Sequence, residues 1–446
     1  MDKLLIKNAR LINEGEIRDR DVLVVGERIE KIAESVAADE GVQVLDANGK
    51  YLIPGMIDDQ VHFREPGLTN KGDLATESAA AVAGGITSFM DMPNVNPQTT
   101  TRAALADKYK LAERRCCGNY AFYLGATNRN IEEIRALEVN EACGIKIFMG
   151  ASTGDMLVDD SEALELIFQD AQVLVVTHCE HSPTIRDNEA HAKAKYGEQV
   201  PMSEHPSIRS ANACLVSSSL AVDLARRHDT RLHVLHLTTA IEMGLFSKTP
   251  RNEKRITVEV CVHHLWFDES RYEDLGARIK CNPAIKTAED RLALIRALNE
   301  GRIDIVATDH APHLAGEKQR TYFKAPAGLP LVQHALLALF DLAKEGHFSL
   351  ELVVDKTSHA VADIYGVIDR GYVREGYFAD LVLVDDETTY TVNSSNLLAK
   401  CHWSPFEGVT FGSTIDTTIV NGHIIYQNGN LSGDIVGQRL QFDRGR

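Results

Sequence analysis

The sequence predicts a (β/α)8 barrel of the TIM type joined to a small β-sandwich built from both chain ends, on three observations. Strand-like apolar runs alternate with helix-like stretches through the middle of the chain. Chemically versatile side chains stand at the carboxyl ends of those runs. Short alternating strands fill the first fifty residues and return near the end.

Barrel strands are expected near residues 55–63, 86–92, 119–125, 144–149, 172–178, 231–237, 256–262 and 303–309. Helices are expected over Ala103 to Arg114, Ile131 to Val139, Ser161 to Gln169, Ala213 to Arg226 and Leu331 to Leu342. Eight such units fit a closed barrel of the usual ~250 residues plus insertions. The long polar stretch from His181 to Pro206 reads as an extended loop over the barrel mouth. At the two ends, Leu4-Leu5-Ile6, Asp21 to Gly26, Ala379 to Val384 and Thr418 to Tyr426 have the texture of short strands, and Asn421-Gly422 is a hairpin turn. The division that follows is 54–371 for the barrel and 1–53 with 372–446 for the sandwich.

Composition narrows the function classes. With 446 residues, 44% of them hydrophobic and 25% charged, the chain has room for one large core and a smaller companion. A net charge of -17 offers no basic stripe to a nucleic acid or an acidic membrane, so a small-molecule substrate is expected, and an anionic one would need local positive groups. Eight cysteines without Cys-x-x-Cys spacing read as buried free thiols in a reducing cytosol. Met1-Asp2-Lys3-Leu4-Leu5-Ile6 turns polar at once, no apolar run is long enough to span a bilayer, and a cytoplasmic enzyme is expected.

Alternate residues on a strand share a face, so Gln60, His62 and Arg64, in Gln60-Val61-His62-Phe63-Arg64-Glu65-Pro66-Gly67, are expected to point together into the cavity capping their strand. Lys146, His178, His236 and Asp309 follow, each at the end of a strand-like run, where parallel barrels keep their chemistry. Imidazoles, a carboxylate and an oxygen bridge can hold one or two Zn²⁺ ions with a position left open for water. An ammonium among them would repel metal. Lys146 fits only if its neutral amine captures CO₂ and becomes a carbamate, an anionic donor able to bridge two ions. The Arg64 guanidinium suits forked, charge-assisted hydrogen bonds to a carboxylate. His263 and His264 read either as groups that orient the ligands or as core residues, and His181, His191, His205 and His233 as structural.

His62, Lys146, His178, His236 and Asp309 together resemble the amidohydrolase superfamily. Pro54-Gly55, His62-Phe63-Arg64-Glu65-Pro66-Gly67, Met92-Pro93-Asn94, Asn282-Pro283 and Thr308-Asp309-His310-Ala311-Pro312-His313, in that order, look like the dihydroorotase family. The resemblance implies a metal-activated water adding to the ring amide of dihydroorotate, with Asp309 moving the proton. It also implies that Asn94 and His313 share the substrate carboxylate with Arg64, while Asn282 and the backbone at Ala327 and Gly328 read the ring's amide edges. Many barrels of this kind pair up, so a homodimer is expected. Allantoinases tend to carry a neutral residue where Arg64 stands, and hydantoinases lack the Arg-Glu-Pro-Gly word.

The chain departs from the family at one ligand position, Gln60, where the first histidine of His-x-His is usual. A neutral amide oxygen is a poorer zinc donor than imidazole, so one zinc is expected to be held more loosely than the other. Asp155 is a rival to Lys146 for the bridge. Two other functions compete: an allantoinase- or hydantoinase-type cyclic amidohydrolase, and a non-catalytic scaffold for aspartate transcarbamoylase, supported only by Gln60.

Overall fold

The computed structural model describes residues 2–151 and 154–444. Eight parallel segments make the barrel wall: Met56–Val61, Ile86–Asp91, Asn119–Phe122 continued by Leu124–Gly125, Ile145–Phe148, Val175–His178, Leu232–Val234, Ile256–Cys261 and Ile305–Ala307. Each pairs in parallel with its sequence neighbour. The ring closes where Val61 bridges His310 and the His62 N–H donates to the His310 carbonyl at 2.7 Å. Strands covered on both faces read as continuous apolar runs, as Ile305–Ala307 does, whereas Met56–Val61 and Ile86–Asp91 are buried along their whole length although they carry Asp58, Asp59, Gln60, Thr87, Ser88 and Asp91.

The expected strands are all present and hold Gln60, Lys146 and His178, while His62, Arg64, His236 and Asp309 lie just beyond strand ends. The first ends at Val61 and the last at Ala307. Arg64, His236 and Asp309 have φ of +69°, +40° and +51°. Strand alternation therefore does not aim Gln60, His62 and Arg64 together. Gln60 lies within the first strand and His62 just past it, while left-handed backbone at Arg64, His236 and Asp309 turns those three at the mouth, a geometry that costs L-residues energy and is held by surrounding contacts.

The expected helices form as Arg102–Ala112, Ile131–Arg135, Ser161–Asp170, Ala211–His228 and Ala335–Lys344. Side-chain oxygens of Thr101, Asp160 and Ser210 cap three of them by accepting backbone N–H groups of the first turn. The stretch after His181 is not an extended loop. It forms a helix over Ser182–Tyr196, with a short turn at His205–Ile208. Only Ile185 and Ala192 of the longer helix are buried, so it has almost no apolar stripe from which periodicity could announce it.

Strands from both chain ends hydrogen-bond into one nine-stranded sheet, in which Leu381–Asp385 joins Tyr51–Pro54 to Thr414–Val420. The hairpin at Asn421-Gly422 connects Thr414–Val420 to His423–Gln427, with both turn residues at positive φ. Gly55 alone separates Tyr51–Pro54 from the first barrel strand, and a Cβ there would lie 2.1 Å from the Thr87 hydroxyl oxygen. Trp403 reaches back to the barrel mouth, its indole N–H donating to the His313 carbonyl at 2.7 Å.

A buried ion pair anchors the segment that follows the first barrel strand. Asp91 accepts the Phe63 N–H at 2.7 Å, while the Lys108 ammonium lies 2.6 Å from its other oxygen and donates to the Met92 carbonyl. Both side chains are essentially inaccessible. Replacing Lys108 by Met should strand the Asp91 charge and lower stability by about 3–5 kcal/mol. Denaturant midpoints check this, and adding Asp91→Asn should recover much of the loss.

Candidate active site

At the closing seam, His62 and Asp309 face each other with Nε2 and Oδ1 3.1 Å apart, and His62 Nδ1 lies 2.7 Å from Asn94 Oδ1. If Nδ1–H donates to Asn94, Nε2 presents a lone pair to a carboxylate oxygen. Two acceptors at that distance are reconciled by a shared cation, either a proton or a metal. Gln60 turns its amide nitrogen, not its oxygen, to this place, donating to Asp309 Oδ1 at 3.1 Å.

Across the mouth, the rings of His178 and His236 lie 4.5 Å apart. His178 Nε2 is 2.8 Å from Glu180 Oε2, which also accepts from Arg209. A carboxylate holding one ring nitrogen fixes a histidine's tautomer and leaves the other nitrogen as the donor to a metal. Burial pushes the Glu180 carboxyl up, but the Arg209 charge and the His178 hydrogen bond outweigh it and hold it at about 2. The His236 Nδ1 is buried without a partner, and burial with neighbouring cations drives the ring's pKa well below 6.5, so it is a neutral imidazole.

Lys146 sits between the two pairs. Its charge depresses both His178 and His236, and Asp309 acts on it in turn. The side chain is 1% exposed and its ammonium finds no hydrogen-bond acceptor among the described residues, only the Phe148 ring at 4.5 Å. Burial lowers its pKa to about 8. Two neutral imidazoles on one side, an imidazole facing a carboxylate on the other and an unmatched amine between them form a donor set that fits divalent metal once the amine is converted to an anion. Asp155 is exposed, in a short turn at Gly154–Met156.

Beside this set lies a positive pocket. Arg64 is 7% exposed and makes no ion pair among the described residues. Its Nε donates to the Pro312 carbonyl at 3.1 Å, and Nη2 lies 3.1 Å from His313 Nε2. Burial lowers its pKa to about 10, which leaves it charged at neutral pH. His313 is kept neutral by burial and by Arg64, Lys71 and Lys318. With its Nε2–H donated to the Ala327 carbonyl at 3.0 Å, Nδ1 accepts from Lys71 at 3.1 Å, and Arg64 keeps its Nη2 hydrogens for another acceptor. The Asn282 Oδ1 is likewise buried and unpartnered.

The loop carrying Ala327 and Gly328 is held by lysines that sequence reasoning missed. Lys318 donates to the carbonyls of Lys280, Pro326 and Gly328, and Lys280 to those of Tyr322 and Ala325. Gly328 has φ of +137°, and a Cβ there would lie 2.5 Å from the Ala311 carbonyl oxygen, so only glycine lets the loop approach. Lys280 and Lys318 had no signal in the sequence. Glu180 did, standing two residues after His178 as an acid on an apolar run. His205 is structural, bridging the Tyr322 hydroxyl and the Cys281 carbonyl. His233 joins Asp59 and Glu259 in a buried cluster beneath the mouth, where burial raises Glu259 to about 8 and its Oε1 still accepts the His236 N–H at 3.0 Å.

A separate cavity of about 550 Å³ opens at the amino ends of the strands, lined by Arg231, Arg251, Lys254, Arg255 and Arg374. None of the expected site residues borders it. Arg251, Lys254, Arg255 and Arg374 are paired with Asp355, Asp304, Asp229 and Glu14, so most of its charge is matched.

With this geometry the comparisons with known proteins agree. Residues 51–425 match the amidohydrolase family, and the chain belongs to that family. It is a hydrolase. Curated relatives include a dihydroorotase of Methanosarcina acetivorans, 31% identical over 97% of this chain and 94% of that protein, and one of Bacillus cereus, 32% identical over 95% of this chain and 98% of that protein. Among solved structures, the L-hydantoinase of Arthrobacter aurescens superposes with a TM-score of 0.93 at 26% identity, over 99% of this chain and all of that one. The dihydropyrimidinase of Brevibacillus agri gives 0.90 at 25% identity, over 99% of this chain and all of that one.

The Glu180 carboxyl, at about 2 when folded against an ordinary 4.5, contributes stability that is present above pH 4.5 and lost as pH falls toward 2. Glu180→Gln should cost about 3 kcal/mol at pH 7. The gap between variant and wild type, read from denaturant midpoints, should close as pH drops through that window.

Proposed function

We propose that the enzyme is a zinc-dependent dihydroorotase, catalysing the reversible hydrolysis of (S)-dihydroorotate to N-carbamoyl-L-aspartate in de novo pyrimidine (UMP) biosynthesis. The observation that carries this reading is Arg64: a buried, charged guanidinium without an acid partner, beside a donor set suited to metal. A substrate bearing a carboxylate next to a hydrolysable ring amide satisfies both. The names of the curated relatives support the same reading, and the eight buried free thiols suit a reducing cytosol. The catalytic barrel is taken as 54–371, and a homodimer as its working form.

His62, Lys146 as its carbamate, His178, His236 and Asp309 would hold the metal. Zinc, when bound, supplies a Lewis acid that polarises a carbonyl oxygen and acidifies water. Lys146 enters as the neutral amine: its nitrogen forms a bond to the carbon of CO₂, a proton leaves, and an anionic carbamate replaces an unmatched ammonium. Arg64 grips the substrate carboxylate through a forked pair of hydrogen bonds, helped by the Asn94 amide nitrogen and by His313, whose Nε2–H turns from the Ala327 carbonyl to the carboxylate. The Asn282 Oδ1 accepts a ring N–H, and the backbone at Ala327 and Gly328 pairs with the remaining amide edge. Asp309 takes the proton of the incoming water as its oxygen bonds to the ring carbonyl carbon, then returns it to the ring nitrogen as the C–N bond breaks. In the reverse direction the same carboxylate removes a proton from the ureido nitrogen.

Likeness to the hydantoinase structure favours a second reading, a cyclic amidohydrolase for neutral rings. Assays on dihydroorotate, allantoin and hydantoin separate the two. Dihydroorotate should turn over, and Arg64→Leu should lower kcat/KM for it by about 10²–10³-fold while leaving any neutral-ring activity in place. No turnover of any ring by zinc-loaded protein would favour the scaffold reading. Intact-mass spectra of gently handled protein should carry one added CO₂, lost in Lys146→Ala. At the set made by His62, Lys146, His178, His236 and Asp309, zinc titration should give one tight and one weaker equivalent, because Gln60 withholds its oxygen from the Asp309 side.

A further inference from the structure

Gln60 directs its oxygen elsewhere, to a cluster that the ring-opening reading leaves unused. Gln60 Oε1 lies 3.8 Å from the sulfur of Cys261. Cys261 ends the strand Ile256–Cys261, and His263 and His264 follow on the short helix Val262–Trp266. One ligand atom from each of the three residues lies within 4.8 Å of the others, and all three are buried. The His263 and His264 rings are 4.0 Å apart.

These histidines are poorly explained as core residues. Among the described residues His264 Nδ1 has no hydrogen-bond partner, and the His263 ring has none beyond a loose approach to the Thr308 backbone, although both side chains are buried. A buried, unsatisfied nitrogen costs about 1–3 kcal/mol, and here such nitrogens lie side by side. His264 Nε2 donates to the Pro283 carbonyl at 3.1 Å, which leaves the lone pair on Nδ1. That is the tautomer-fixing contact typical of metal-bound imidazole. Burial holds His263 at about 4 and His264 well below 6.5, so both offer lone pairs at neutral pH. Cys261 is the sulfur donor; burial and the nearby carboxylates of Glu259 and Asp309 keep its thiol protonated until a cation displaces the proton.

We propose that Cys261, His263 and His264 form a zinc site of their own beside Asp309, with Gln60 Oε1 as the fourth donor. A thiolate with two imidazoles is a donor set that zinc favours, and an amide oxygen or water closes the tetrahedron. Zn–S near 2.3 Å and Zn–N near 2.1 Å put neighbouring ligand atoms roughly 3.3–3.8 Å apart, so ligand atoms already within 4.8 Å of one another need contract by no more than about 1.5 Å to close round one ion. Binding forms the Zn–S bond and releases the thiol proton to solvent. The histidine missing at position 60 is thus matched by a site two strands away round the barrel. The proposal does not depend on which ring the enzyme opens, since it uses none of His178, His236 or Lys146.

X-ray absorption of the zinc-loaded full-length protein should show a sulfur scatterer at about 2.3 Å, and Co²⁺-loaded protein should show thiolate-to-cobalt charge transfer in the near ultraviolet. Cys261→Ser should remove both signals and one metal equivalent, whereas His178→Asn should keep them. A shell of nitrogen and oxygen alone in the wild type overturns the proposal, as does a sulfur signal that survives Cys261→Ser. The wild-type spectrum decides even if Cys261→Ser does not fold. Dihydroorotate turnover without a sulfur shell sinks this site and leaves the proposed activity standing; a sulfur shell without turnover does the reverse.

Discussion

The seam where the first and last barrel strands meet governs the rest of the structure. Asp58 is fully buried there, accepting the Thr308 hydroxyl at 2.6 Å and the Thr308 N–H at 3.2 Å, while His62 N–H grips the His310 carbonyl. His310 is fixed in turn by Glu77 at 2.8 Å and by the Leu331 N–H. Two stretches some 250 residues apart are thereby locked in register, so that His62 and Arg64 from one face Asp309 and His313 from the other. Burial raises Asp58 to about 7. Its neighbourhood is costly to assemble, and that cost is acceptable because the same contacts define the mouth.

The barrel was readable because strand-like apolar runs alternate with helix-like stretches through the middle of the chain. The candidate groups were readable because each ends such a run. Their approach to one another was not, since it relies on positive φ at Arg64, His236 and Asp309, which no residue type there announces. Nor was the helix over Ser182–Tyr196, whose surface is polar nearly all round and whose fold comes from tertiary docking. Arg209 lies on the far side of that helix in sequence and reaches Glu180 only through this arrangement.

Charge reconciles a strongly acidic protein with the anionic substrate proposed for it. The net charge of -17 is spread over the surface, where salt screens it over about 10 Å. Arg64, Lys71, Lys280 and Lys318 are gathered inside, three of them shielded and only Lys71 neutralised by a carboxylate, that of Glu317. At close range in a poorly polarisable interior the local cations dominate.

In the proposed reading the Arg64 guanidinium also sets what the pocket refuses. A flat neutral ring seated over Arg64 would seal a charge from water while offering it no counter-ion, and that burden falls on the complex and not on the free protein. Discrimination among otherwise similar small heterocycles then works by exclusion. Two barrels of nearly the same shape can sort different molecules by the electrical sign of a single side chain.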